Sequence, residues 1–264
     1  SPLTFSVVIP MYNSSQTILS TIASCLLQSY PVKEIIIVDD ASNDDSIAKV
    51  SAAYGASVSI ISFPENRGPS AARNAGWEAA TGDFVAFQDA DDTWHPHRIA
   101  IVKQFLEKDP QIDFIWNRYT HNAATQATIP FNEDVLKKTS LFELCVTNPI
   151  APSASVIRRT AQVPFNEKMR YCEDYEWVLR IKAAYTMYEI HLLLTYRSRP
   201  MMASGGQSQR LWKMRKGEIK SYASLGKLNP FLYLLFPFLL LWSIFKHFRI
   251  LARRKQLKKP GISH

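Results

Sequence analysis

Short apolar runs alternate with stretches in which apolar side chains recur every three or four positions, and this alternation holds over roughly the first hundred residues. Phe5 to Pro10, FSVVIP, is a β-branched run ended by proline, and Glu34 to Asp40, EIIIVDD, is another that ends in acids. Between them TILSTIASCLLQ places Ile18, Ile22, Cys25 and Leu26 at helical spacing, and Tyr30-Pro31 stops it. A second helix is expected from Ser42, whose spacing to Asp45 matches a capping box, to Gly55 as its closing glycine. VSIIS (Val58 to Ser62), a helix from Pro69 to Ala80 closed by Gly82, and the strand DFVAFQ complete four strands alternating with three helices. That order predicts a parallel, doubly wound sheet whose ligands lie beyond the carboxyl ends of the strands.

After His97 the pattern predicts a helix to Lys108 and the strand IDFIW, and then regularity fades through the polar stretch 117–132, where a second substrate would be shaped. CEDYEWVLRIKAA, Cys172 to Ala184, resumes as an amphipathic helix, followed by the apolar strand EIHLLLTY. From Gly205 the composition changes: Pro230 to Phe245 is almost wholly apolar, and KHFRILARRKQLKK follows. The expected organisation is a first half over 1–100, a second half over 101–204 and a basic, apolar helical tail over 205–264.

Charge sharpens this division. Residues 205–264 carry 13 Lys and Arg against the single Glu218, a net +12, whereas the first 204 residues hold 18 basic and 22 acidic groups, a net −4. A near-neutral body with a basic tail does not suit a protein that wraps duplex, so nucleic acid is not an expected partner. Cys25, Cys145 and Cys172 are odd in number and far apart, which suggests neither a disulfide framework nor a zinc site and fits a reducing, cytosolic setting. SPLTFSVVIP has no basic segment followed by a long apolar one, so no export signal is expected in it.

Four strand ends should meet on one rim: Pro10-Met11-Tyr12-Asn13, Asp39-Asp40, Pro64-Glu65-Asn66-Arg67 and Asp89-Ala90-Asp91-Asp92. Three carboxylates within four positions repel one another unless a cation lies among them. Hard oxygen ligands suit Mg2+ or Mn2+, and two suffice when substrate phosphates supply the rest. The alternative is an acidic turn in which Asp92 caps the next helix. Asp39 can accept from a nucleobase or bind ribose hydroxyls, and Asp40 can cap the helix at Ser42. ENRGPSAARNAG joins a glycine turn to a helix N-terminus suited to anions, with Arg73 one helical turn in.

VVIPMYN, IIIVDDASND, NRGPSAARNAG, FQDADDTW and CEDYEW, in that order, resemble the signature set of family 2 inverting glycosyltransferases with the GT-A fold, of the bacterial surface-polysaccharide type. The resemblance covers roughly residues 5 to 180 and implies a mixed, mainly parallel α/β sheet flanked by helices, with a nucleotide-sugar-binding half over 1–100 and an acceptor-binding half over 101–204, a nucleotide-sugar donor, most often a UDP-sugar, and Mn2+ or Mg2+. It implies that Pro10 and Tyr12 border the base, with Asn13 and Ala90 beside the donor, that Asp39 and Arg73 contact uracil, that Asp89 reaches the donor, and that Asp91, with Asp89, holds the metal. It also implies a catalytic base in the later Glu-Asp pair, Asp174 ahead of Glu173, with Asp92 and Asn66 as secondary site residues. A helix N-terminus should keep Asp174 ionised.

The chain departs from that pattern in two places. Many relatives carry Tyr-Arg-x-His after the last core strand, whereas Tyr196-Arg197-Ser198-Arg199 stands here and puts Arg199 in reach of a diphosphate. The Gln-x-x-Arg-Trp of processive synthases is displaced in Gln207-Ser208-Gln209-Arg210-Leu211-Trp212, which favours transfer of one sugar and leaves Gln207 and Arg210 as secondary candidates. His95 and His97 read as helix-start surface residues. The apolar stretch between Pro230 and Lys246 is 15 residues, short of the roughly 20 a spanning helix needs. With the basic segment behind it, residues 230–259 are expected to lie on an anionic membrane, with a helical cap on the body as the alternative. The expected protein is a peripheral enzyme on the cytoplasmic face, using a polyprenyl-diphosphate-linked glycan acceptor in O-antigen or capsule assembly. A non-catalytic scaffold and a sugar-nucleotidyltransferase are the rivals, and the latter lacks its glycine-rich phosphate loop near VVIPMYNSSQ.

Overall fold

The computed structural model describes residues 2–122, 135–198, 211–228 and 234–257. Its first half follows the apolar pattern closely. Strands β1 (Phe5–Met11), β2 (Glu34–Asp39), β3 (Ser59–Ser62) and β4 (Phe84–Phe87) are parallel in the order β3-β2-β1-β4, linked by helices α1 (Ile18–Leu26), α2 (Ser46–Tyr54) and α3 (Pro69–Ala79). Alternation along β1 explains why helices cover both faces: Val7, Ile9 and Met11 pack with Ile18, Ile22 and Val50, while Val8 packs with Ala72 and Trp77. Gly76 is where α3 lies closest to the sheet, since a Cβ there would come within 2.3 Å of Val8 Cγ1.

The capping box expected at Ser42 does not form. Helix α2 begins at Ser46, where the Asp44 carboxylate accepts from the Ser46 N–H, and the Ser42 hydroxyl accepts instead from the Asn13 N–H. A cross-loop partner outcompetes the local one, and it ties the β1 end to the loop after β2.

Beyond β4 the sheet is mixed. The short β5 (Asp92–Trp94) and helix α4 (Arg98–Lys108) lead to β6 (Phe114–Thr120), which continues past the point where regularity was expected to fade. Then come β7 (Leu136–Lys138), α5 (Leu141–Thr147), β8 (Ser155–Arg158), α6 (Glu173–Ala184) and β9 (Met187–Arg197). Strand β8 enters between β4 and β6, antiparallel to both, and β9 runs parallel to β6 while pairing antiparallel with β5 and β7. Among the described residues four pairings are parallel and four antiparallel, and one nine-stranded sheet runs through both halves of the chain.

Trp177 is the keystone of the second core. Its ring stacks on Phe165 at 4.1 Å, meets Phe87 edge-on at 5.5 Å, and its indole N–H donates to the Val163 carbonyl. This cluster seats α6 so that its first turn faces the end of β4.

The tail is two further helices, α7 (Leu211–Leu228) and α8 (Phe236–Leu257). Helix α7 buries Tyr222 and Leu225 against α5 and α6. One side of α8 docks on the body: Leu239 packs into the same core, the Trp242 indole donates to the Val146 carbonyl, and Ser243 and Lys246 bond Glu218. The other side exposes Phe238, Leu241 and Phe245, with Phe238 70% accessible. No helix among the described residues is long and apolar enough to cross a membrane.

Candidate active site

The carboxyl ends of β1, β2 and β4 and the start of α3 enclose a cleft of about 400 Å³. Pro10, Tyr12, Asp40, Asn66, Arg73, Asp89, Ala90 and Asp91 line it, so the predicted rim is real, and Met11, Ser14, Gly68, Pro69 and Ala72 complete its wall. Tyr12 is half exposed at the mouth.

Asp39 is buried at the end of β2. Its Oδ2 accepts from the Ser42 N–H, while Oδ1 is buried without a partner. A buried acceptor without a donor is costly, so this oxygen has an unmet need for an N–H or hydroxyl. Asp40 does not cap α2: its two oxygens accept from the N–H groups of Arg67 and Gly68, and its carbonyl accepts from Asn66. It thereby shapes the turn that opens α3. Gly68 holds φ +92° in that turn, a left-handed backbone that favours glycine. Asn13, also left-handed at φ +46°, accepts from the Asn43 N–H and braces the rim rather than lining the cleft.

Arg73 sits at the centre. Its Nη2 donates to Asp89 Oδ1 at 2.7 Å, and its guanidinium lies over the Phe165 ring. Burial works against its charge, but Asp89, then Glu173 and Asp174, outweigh burial and hold its pKa above the usual value. The converse holds for Asp89, which Arg73 and Arg197 keep ionised in spite of burial. Nε and Nη1 of Arg73 are buried without a partner. The Ala90 carbonyl accepts from the hydroxyls of Thr17 and Thr21, which fixes the turn between Asp89 and Asp91.

Asp92 leaves the acidic cluster. It lies in β5 and does not cap α4; its carboxylate accepts from Ser153, from the Ser198 N–H and from Arg197. Burial, followed by Asp89, lifts its pKa to about 7. Arg197 was missed by sequence reasoning that looked to Arg199; the antiparallel register that places Asp92 opposite Arg197 is a tertiary fact with no local signal. Arg199, Gln207 and Arg210 lie outside the described residues. His95 and His97 sit at the surface, their rings 5.5 Å apart, with His97 on Ser29.

Glu173 and Asp174 open α6. Glu173 lines a smaller cavity of about 110 Å³ that shares Asn66, Gly68 and Pro69 with the cleft. Asp174 Oδ1 accepts from the Tyr175 N–H of its own helix. Desolvation lifts Glu173 to about 7, reinforced by the charge of Asp174, and desolvation also raises Asp174. Burial thus lifts the Asp174 pKa against the pull of the Tyr175 N–H, Arg73 and Arg197, so it is a stronger base than its place at a helix N-terminus alone implies. Glu176, two residues on, is buried against Arg180 and serves the helix.

Among the described residues no group of three His, Cys, Asp or Glu side chains could hold a metal alone. Asp91 lines the cleft, with Asp89 beside it on Arg73. That donor set fits Mg2+ or Mn2+ completed by a ligand's phosphates and does not fit a closed protein cage.

Residues 6–161 match the family model Glycosyl transferase family 2. The chain is 28% identical over 170 residues to the UDP-Glc:alpha-D-GlcNAc-diphosphoundecaprenol beta-1,3-glucosyltransferase WfgD of Escherichia coli, covering 64% of this chain and 66% of that one. It is 42% identical over 110 residues to the amylovoran biosynthesis glycosyltransferase AmsB of Erwinia amylovora, 40% of this chain and 36% of that one. The chain thus spans about a third of the length of AmsB. Its fold is that of S. aureus TarS 1-349 in complex with UDP-GlcNAc, at a TM-score of 0.66 and 20% identity, covering 86% of this chain and 71% of that chain.

Proposed function

The chain belongs to glycosyl transferase family 2, and from that premise we propose that it moves a single sugar from a nucleotide-sugar, a UDP-sugar, to a lipid-linked glycan with inversion at the anomeric carbon. The observation that carries the reading is Arg73: one buried guanidinium on the cleft wall, bonded to Asp89 and faced by Glu173 and Asp174. It joins the donor end of the site to the carboxylate pair that would serve the acceptor.

Asp39 Oδ1 takes the imide N–H of the base, Tyr12 and Pro10 flank its ring, and the free N–H groups of Arg73 meet the donor. Asp91, with Asp89, would hold Mg2+ or Mn2+, an ion that supplies positive charge to the leaving diphosphate. Asp174 accepts the proton of the attacking hydroxyl. Its raised pKa makes it a better base than an exposed carboxylate at the same pH, provided it is ionised. Glu173, at the edge of the adjoining cavity, shares that proton balance.

The likeness to WfgD, a glucosyltransferase acting on a diphosphoundecaprenol-linked sugar, supports a lipid-linked acceptor, and the likeness to the amylovoran biosynthesis enzyme AmsB supports a place in surface-polysaccharide assembly. The outer side of α8 also supports the lipid-linked acceptor, for Phe238, Leu241 and Phe245 are exposed there and Arg249 adds positive charge. This stripe suits an anionic membrane at its cytoplasmic face. The side chains of Ile250, Leu251, Arg253 and Arg254, which were expected to extend it, lie outside the described residues.

The test is nucleotide release from UDP-, GDP- and dTDP-sugars with Mn2+, Mg2+ or EDTA, using a lipid-diphosphate sugar acceptor in vesicles, beside Asp91→Ala and Asp174→Asn. Metal-dependent release from one donor, lost in both variants, is expected. Donor binding without turnover under every condition would favour a non-catalytic scaffold instead.

A further inference from the structure

Helix α7 lies behind the turn that carries the carboxylate pair, and its residues there follow one face: Met214, Gly217 and Ser221. Met214 offers its carbonyl to the Cys172 thiol at 3.3 Å, and the Ser221 hydroxyl, which donates to the Gly217 carbonyl at 3.0 Å, lies 3.5 Å from the Cys172 carbonyl. At Gly217 the approach is tightest, because a Cβ there would stand 2.4 Å from the Tyr171 carbonyl oxygen and 3.2 Å from Cys172 Cβ.

That turn needs outside support. Cys172 precedes Glu173 directly and holds φ +58°, left-handed backbone that a side chain disfavours, and no side chain caps the start of α6. The neighbouring face of α7 is committed elsewhere. Glu218 accepts from Arg215 and Lys246, from the Tyr222 hydroxyl at 3.0 Å and from the Ser243 hydroxyl at 2.6 Å, while Tyr222 also reaches the Cys145 carbonyl. Glu218 is the only acid in the last 60 residues of a strongly basic segment, and it is buried where α8 crosses α7.

We propose that α7 is the positioning element of the Glu173–Asp174 pair, with Gly217 and Ser221 fixing the left-handed turn at Cys172 and Glu218 locking α7 to α8. This rests on the transfer reading above. Neither residue touches the cleft; both act through the turn, and the same lock makes the seat of α8 bear on the position of the carboxylates.

The experiment compares wild type, Gly217→Ala, Ser221→Ala and Glu218→Gln in the full chain. It measures kcat and donor KM for nucleotide release with the lipid-diphosphate acceptor, and UDP affinity by calorimetry. A small displacement of a reacting group is worth a large factor in rate, so Gly217→Ala should lower kcat at least about tenfold with donor KM and UDP affinity within about twofold. Ser221→Ala and Glu218→Gln should show smaller losses of the same kind, and they carry the test if Gly217→Ala does not fold. An active wild type whose folded variants keep kcat, or lose donor affinity in proportion, overturns the positioning role alone. A wild type that turns over no donor overturns the transfer reading, and this proposal with it.

Discussion

Arg73 donates to Asp89 Oδ1 at 2.7 Å, and this bond joins α3 to the end of β4 across the floor of the cleft. Both side chains are largely withdrawn from water, so neither charge is affordable alone. Arg73→Met should therefore lower stability by about 3 kcal/mol in urea unfolding, by stranding Asp89. Arg73→Lys should recover part of that stability but little UDP affinity in a titration, because a point charge cannot replace a planar fork.

The pH dependence has a definite sign. Desolvation and the neighbouring acid raise Glu173 to about 7, and desolvation raises Asp174. A base must be ionised, so kcat/KM should rise with pH through an acid limb placed above the usual carboxylate range. Glu173→Gln removes a like charge and should move that limb to lower pH in a pH–rate profile.

The same group affects folding. Glu173 binds its proton more tightly folded than unfolded, so its contribution is fully present below its ordinary value of 4.5 and is lost as pH rises through about 7. Glu173→Gln should flatten the decline of stability across that window, as measured by denaturant midpoints at successive pH values.

Gly76 permits no methyl, with Val8 Cγ1 2.3 Å from the place a Cβ would take. Gly76→Ala should cost about 1–3 kcal/mol in chemical unfolding through overpacking, and should weaken UDP binding as α3 lifts Arg73 off the cleft. An unchanged midpoint would mean that α3 shifts freely on the sheet.

Phe238→Ser together with Leu241→Ser alters only the exposed side of α8. Sedimentation with anionic vesicles should fall several-fold while the unfolding midpoint stays within about 0.5 kcal/mol, as for surface changes away from structural contacts. Retained sedimentation would remove the membrane role from this helix.

The parallel half of the fold was legible because its signals are local: β-branched runs, helical spacing, and Pro or Gly at the breaks. Strand ends then placed Tyr12, Asp39, Asn66, Arg73 and the acidic turn on one rim without any knowledge of contacts. What stayed illegible depends on partners distant in sequence. Ser42 found Asn13 instead of its own helix, Asp92 found Ser153 and Arg197, and β8 inserted beside β4 against the parallel trend. The rise in the Asp174 pKa was illegible for a similar reason, since the local helix terminus was visible and the burial around it was not.

On the proposed membrane role, the two-sided helix α8 would also fix the attitude of the whole molecule. A slack tether would let the body tumble beneath its anchor, whereas a helix fastened through Trp242, Ser243 and Lys246 does not. Once its outer stripe lies in an interface, the tilt and height of the cleft are set, and only gliding and spinning within that plane remain. Acceptors confined to the same plane then meet the cleft in a two-dimensional search, always at one angle of approach.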